Sequence, residues 1–244
     1  GTTRSGTLET VAATMKATGI AAAPHLSCIE GTKESINELL DSYKAAGVDR
    51  IVALRGDLPK GMDEPGVFSY ANELVAHIKQ RHGDDFHIEV GCYPEYHPQA
   101  PSPAADIENF VRKVRAGADS AMTQYFYNAD AYFNFVEEVA AQGVDIPIVP
   151  GIMPITDFGQ VSRFSAMCGA DIPRWIRQKM EGYGDDQTAV QAFGREVVAR
   201  MCEQLLAGGA PGLHFYSLNK AQPTIDLWHD LGLPLPAGRI VETG

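Results

Sequence analysis

A short phrase recurs where one sequence pattern gives way to another: Gly47-Val-Asp49, Gly117-Ala-Asp119 and Gly143-Val-Asp145. Apolar residues at helical spacing precede it, as with Ile36, Leu39, Leu40 and Tyr43, and a short apolar run follows, as with Arg50–Leu54. Helix, glycine cap and strand in that order is the grammar of βα units, which confines the chain to an α/β fold with a parallel sheet.

The remaining runs extend the pattern. Strands are predicted at Ile20–Ile29, Arg50–Leu54, His87–Tyr93, Ser120–Phe126, Ile146–Pro154 and Gly212–Leu218. Helices are predicted at Ser5–Thr18, around Ile36–Tyr43, at Ser69–Arg81, from Ser102-Pro103 to Gly117, after the Asn128 cap, at Asp157–Cys168, at Thr188–Leu206 and at Gln222–Asp230. That makes six strands and eight helical segments, helix first. A closed (β/α)8 barrel needs eight strands. The expectation is therefore either an open doubly wound sheet or a TIM barrel whose first two strands are absent, and a start at Gly1-Thr-Thr instead of Met favours the second. Residues 1–244 are expected to form a single catalytic barrel domain, incomplete at the N-terminus.

At 244 residues with 45% hydrophobic content, the chain can bury a substantial core. The formal charge of −11 argues against a nucleic-acid partner, which demands clustered Lys and Arg. No apolar run reaches the roughly 20 residues of a membrane helix, so a soluble cytoplasmic protein is expected. The four cysteines, Cys28, Cys92, Cys168 and Cys202, lie far apart with no CxxC spacing and read as reduced packing residues.

In parallel α/β folds, chemistry collects at the carboxyl ends of the strands. The run Ile51-Val-Ala-Leu54 stops abruptly at Arg55-Gly56-Asp57, which is either a ligand contact or a structural ion pair in a solvated turn. Other strand ends carry His25, then Tyr93 with Glu95 and His97, then Gln124, Met153, and Tyr216 with Lys220. No HxH or HExxH supports a metallohydrolase, no GxSxG a nucleophile elbow, and no GxGxxG follows a strand. Lys220 sits in polar company, unsuited to Schiff-base chemistry, and the Arg-Gly-Asp tripeptide reads as a chance match to an adhesion motif. What remains suits a large, flat, partly anionic ligand such as a flavin or a pterin.

Six stretches together resemble the methylenetetrahydrofolate reductases of short bacterial type: Ala23-Pro-His-Leu-Ser-Cys28, Ile51-Val-Ala-Leu-Arg-Gly-Asp-Leu-Pro59, Tyr93-Pro-Glu-Tyr-His-Pro98, Ala121-Met-Thr-Gln-Tyr-Phe126, Val149-Pro-Gly-Ile-Met-Pro154 and His214-Phe-Tyr-Ser-Leu-Asn-Lys220. The resemblance implies a (β/α)8 barrel that holds FAD noncovalently and reduces 5,10-methylenetetrahydrofolate to 5-methyltetrahydrofolate with NADH or NADPH, by ping-pong hydride transfer through flavin N5. It further implies a homo-oligomer, dimer or tetramer, serving one-carbon metabolism and methionine biosynthesis, without a regulatory domain. By motif, His25, Arg55, Gly56, Asp57, Tyr70, Ala71, Tyr93, His97, Asp106, Lys113 and Met122 match FAD-contacting positions. Asp57, Gln124, Gln160, Phe164, Tyr216 and Lys220 match substrate-side positions, Lys220 standing where some members have arginine. Asp57 matches the catalytic carboxylate that tunes the flavin and stabilises the cationic iminium formed from folate. The resemblance places the general acid on the first barrel strand, outside this sequence. Without it, Tyr70, Asp106 and Lys113 would read as an ordinary helix face. Two other functions stay open on the residues themselves: a noncatalytic flavin-binding subunit or fragment, which would bind flavin without folate turnover, and a cofactor-free barrel lyase, which would be colourless.

Overall fold

The computed structural model describes residues 4–29, 31–56 and 66–234. In chain order they form α1 (Arg4–Thr18), β1 (His25–Ser27), α2 (Lys33–Ala45), β2 (Arg50–Leu54), α3 (Ala71–His82), β3 (His87–Cys92), α4 (Pro103–Arg115), β4 (Ser120–Tyr125), α5 (Ala129–Ala141), β5 (Ile148–Ile152), α6 (Phe158–Cys168), α7 (Arg174–Tyr183), α8 (Gln187–Ala207), β6 (His214–Phe215) and α9 (Ala221–Asp230). The sheet order is β1-β2-β3-β4-β5-β6, and the registered pairs are parallel. Strictly sequential parallel order has no point where winding reverses. That is the strand order of a TIM-type (β/α)8 fold, not of a doubly wound sheet.

The described chain divides into two compact units, one of residues 4–91 with Arg112–Ser120, the other of Cys92–Val111 with residues 121–234. In the first unit, Ile51, Val52 and Ala53 of β2 are successive and all at most 2% exposed, so this strand is covered on both faces. Ile36 and Leu40 of α2, Leu74, Val75 and Ile78 of α3, and Ile88 and Val90 of β3 complete a core with no exposed surface. In the second unit, Ala121 and Thr123 of β4, Ile152 of β5 and Val198, Cys202 and Leu205 of α8 are equally closed off.

The recurring phrase has one physical solution. Gly47, Gly117 and Gly143 all adopt positive φ, at 76°, 112° and 82°. The next amide donates five residues back, Val48 to Tyr43, Ala118 to Lys113 and Val144 to Val139. This closes each helix in a left-handed cap and buries the small apolar residue that follows. The aspartates then meet the sheet: Asp49 O accepts from His87 N, and Asp119 Oδ2 accepts from Ile88 N. The expected N-caps also form, with Ser102 Oγ accepting from Ala105 N, Asn128 from Asp130 N and Asp157 from Gln160 N.

Three expectations need correction. The first strand is only His25–Ser27, so His25 opens it and does not close it. Pro24 has no amide to extend the ladder, although its carbonyl accepts from Val52 N. The last strand shrinks to His214–Phe215. Both are sheet edges, paired on one side among the described residues, which shortens the hydrogen-bonded run. Third, a ninth helix, α7, forms within the stretch after Asp171. Its buried Ile176 and Met180 stand four residues apart, a pair too sparse to stand out beside the exposed Trp175.

Burial pushes the thiols of Cys28 and Cys202 up to about 12, and Cys92 is 1% exposed. In native protein at pH 8, a thiol reagent is expected to modify Cys168 first, the other three reacting only on unfolding. Prompt reaction of Cys28 or Cys202 would contradict their place in the core. Among the described residues no helix is long and apolar enough to cross a membrane, and no His, Cys, Asp and Glu group could hold a metal.

Candidate active site

In the first unit, Arg55 and Gly56 follow the last residue of β2 and face β1. Ser27 Oγ donates to Arg55 O at 3.0 Å and accepts from Ile29 N at 3.2 Å, binding the two strand exits together. Gly56 has φ 82°, and a Cβ there would lie 2.2 Å from Ser27 Oγ, so only glycine lets the chain turn this close. Asp57 lies outside the described residues. His25 is more exposed than its neighbour Leu26, yet protein packed around its ring lowers its pKa through lost hydration. Tyr70 stands at the N-cap of α3, 58% exposed, with Ala71 opening the helix. Glu73 Oε2 accepts from Ser69 N and Tyr70 N, which holds that turn. Lys113 donates from Nζ to Gly91 O near the end of β3.

In the second unit, the loop after β3 carries Tyr93 and His97, whose rings meet edge to face at 4.6 Å. Asp106 Oδ2 accepts from His97 N at 3.0 Å, fastening the loop to the first turn of α4. His97 Nδ1 accepts from Gln99 N at 3.0 Å. A ring nitrogen that accepts is unprotonated, so the ring proton sits on Nε2. Tyr93 and Gln124 then share a small pocket with Glu95, Tyr125 and Gly169. Glu95 accepts from Asp171 N at 2.8 Å; its burial raises its pKa and this hydrogen bond partly offsets the rise.

A second small pocket of this unit brings together Gln160, Phe164 and Lys220 with Pro154, Thr156 and Leu218. Gln160 and Phe164 are presented by α6, which the Asp157 cap starts at the right residue, and Lys220 is the N-cap of α9. Leu218 and Asn219 reach Lys220 through positive φ of 49° and 61°. This is a costly conformation for leucine, held by the Lys220 N to Ser217 O turn bond. Tyr216 leaves β6 with its phenol donating to Thr123 O at 2.9 Å and its ring 4.9 Å from His214. Met122 is 7% exposed within β4. Sequence reasoning missed Thr123, whose carbonyl holds the Tyr216 phenol, and Gly151, whose lack of a side chain leaves room for the Tyr216 ring. A buried threonine and a strand glycine give no signal until their register is known.

The family model of methylenetetrahydrofolate reductase matches residues 1–232. The chain belongs to the methylenetetrahydrofolate reductase family. Among its relatives, 5,10-methylenetetrahydrofolate reductase of Escherichia coli (strain K12) is 39% identical over 216 residues, covering 88% of this chain and 72% of that protein. The probable methylenetetrahydrofolate reductase (NADH) of Oryza sativa subsp. japonica is 38% identical over 222 residues, 86% of this chain and 37% of that one. A solved phosphonopyruvate hydrolase, in complex with oxalate and Mg2+, shares the fold at a TM-score of 0.50 and 20% identity, covering 94% of this chain and 76% of that chain. Membership in the family makes the chain an oxidoreductase.

Proposed function

We propose that this chain reduces 5,10-methylenetetrahydrofolate to 5-methyltetrahydrofolate, with NADH or NADPH as donor and noncovalent FAD as carrier. The observation that carries the reading is the pocket of the second unit in which Gln160, Phe164 and Lys220 come together. These are substrate-side positions that the family motif marks and that composition alone would never unite. Phe164 offers an aromatic face to a planar pterin or nicotinamide in turn, as ping-pong use requires, and Lys220 offers a cation to a carboxylate of folate. Gln124 adds an amide, and Tyr216 a phenol fixed to β4.

The donor set suits FAD. Within the first unit, Arg55 and Lys113 supply cations to an otherwise acidic protein, Gly56 allows close backbone approach, and His25, Tyr70 and Ala71 are its other proposed contacts. Within the second unit, the His97 ring, the Asp106 carboxylate, the Tyr93 ring and Met122 fit ribose, diphosphate and ring contacts. Bound flavin would supply the hydride relay between nicotinamide and folate. Asp57 is the proposed catalytic carboxylate, its charge favouring the cationic form of folate. None of the residues numbered here is proposed as the general acid. We further place the protein in the cytoplasm as a homo-oligomer.

The test is to add FAD to purified protein, reduce it with NADH or NADPH and reoxidise it with methylenetetrahydrofolate. Flavin absorption bands that bleach and return are expected, and a colourless protein after FAD addition refutes the reading. Asp57→Asn is expected to slow the folate half-reaction by about 100-fold and flavin reduction by much less; equal slowing of both would remove the electrostatic role.

A further inference from the structure

The β4–β5 pairing slips inside the proposed site. Met122 faces Val149 and Tyr125 faces Gly151, so three residues of β4 advance against two of β5. Such a bulge leaves ladder groups to be satisfied otherwise and re-aims the side chains around it. Side chains take up the slack. Thr123 Oγ1 accepts from Gly151 N at 2.8 Å, and Gln124 Oε1 accepts from Tyr125 N at 3.0 Å. The Thr123 carbonyl accepts the Tyr216 phenol at 2.9 Å. Thr123 has no exposed surface, so its hydroxyl meets no solvent and touches no ligand. Gly151 has no room for a side chain, since a Cβ would lie 2.3 Å from Thr123 O and 2.7 Å from the Tyr216 ring. One buried residue thus joins β4, β5 and the residue after β6, and both neighbours it controls, Gln124 and Tyr216, are proposed substrate contacts.

We propose that Thr123 is a positioning residue for the folate face: its Oγ1 holds the bulge, and the bulge sets Gln124 and Tyr216. The proposal rests on the folate reading of this site. With Gln124 Oε1 turned to the Tyr125 amide, its donating Nε2 is offered to an acceptor on the substrate. Threonine suits the position twice. Its β-branched methyl fixes the rotamer, and its oxygen supplies the acceptor.

The test compares Thr123→Val, which keeps shape and loses the acceptor, with Thr123→Ser, which keeps the acceptor, each in the full chain loaded with FAD. In Thr123→Val the Gly151 amide loses its partner and is expected to exchange with deuterium about 10-fold faster or more. The same variant is expected to raise the KM for methylenetetrahydrofolate about 10-fold while flavin reduction by NADH or NADPH changes less than about 2-fold. Thr123→Ser should restore both. Unchanged Gly151 exchange in Thr123→Val, equal damage from serine and valine, or parallel loss in both half-reactions each overturns the proposal. If the unaltered protein itself binds FAD but never passes hydride to folate, the functional reading falls first, and Gly151 exchange then reports on the clamp alone.

Discussion

Gly151→Ala is expected to abolish most folate turnover and to lower the melting temperature. Its Cβ would lie 2.3 Å from the Thr123 carbonyl oxygen, a main-chain atom, and 2.7 Å from a Tyr216 ring carbon. Neither can step aside cheaply. The oxygen belongs to β4 and already accepts the Tyr216 phenol, and moving the ring breaks that bond. The two strands must therefore part by roughly 1 Å, which for an overpacked interior costs about 1–3 kcal/mol. In a domain of this size that corresponds to a fall of roughly 3–10 °C in melting temperature. Misplacement of about 1 Å at a reacting face can cost on the order of 100-fold in rate. Thermal melting and steady-state turnover check both halves, and an alanine variant with normal melting and normal kcat/KM would show that the β4–β5 spacing does not govern the site.

Gly56→Ala is the second large effect, and it acts on the first unit. Two independent costs meet at this residue. At φ 82° an L side chain is strained by about 1–2 kcal/mol. The added Cβ would also lie 2.2 Å from Ser27 Oγ, which must rotate away from Arg55 O and Ile29 N. Asp57 is the next residue in the chain, so the expected outcome is a loss of flavin affinity of about 10-fold or more together with a measurable drop in stability. A second substitution separates the causes. Ser27→Ala in the Gly56→Ala background removes the colliding oxygen and leaves the φ strain, so it should recover part of the stability. No recovery would assign the whole effect to backbone conformation; flavin titration by fluorescence quenching and thermal melting read the two together.

The repeated Gly-Xaa-Asp joins, the Ser102, Asn128 and Asp157 caps and the doubly buried β2 were all legible in the chain, because each depends on residues within about one helical turn of each other. The helix α7 escaped notice because only two of its buried residues, Ile176 and Met180, mark it. The edge strands were overestimated for a related reason. An apolar run reports burial, whereas a strand is defined by partners, and His25–Ser27 and His214–Phe215 each have a registered partner on one side. Within the site, Gln160, Phe164 and Lys220 were recognisable by resemblance, and Thr123 and Gly151 were not. Glycine in a strand has several meanings, and a buried threonine has more; only the register that sets Gly151 N against Thr123 Oγ1 distinguishes them.

By itself, the amino-acid order determined the α/β class, the alternation of helices with strands, the family, and the residue types offered at the strand ends. These follow from local periodicity, caps and turns, where contacts are between near neighbours. The tertiary structure alone decided that β4 slips by one residue against β5, that Tyr216 bonds to a carbonyl 93 positions away, and that Gln124 turns its oxygen to the Tyr125 amide. Such contacts depend on which strand lies beside which and in what register, a choice made by packing between segments distant in the chain and written in no single stretch of it.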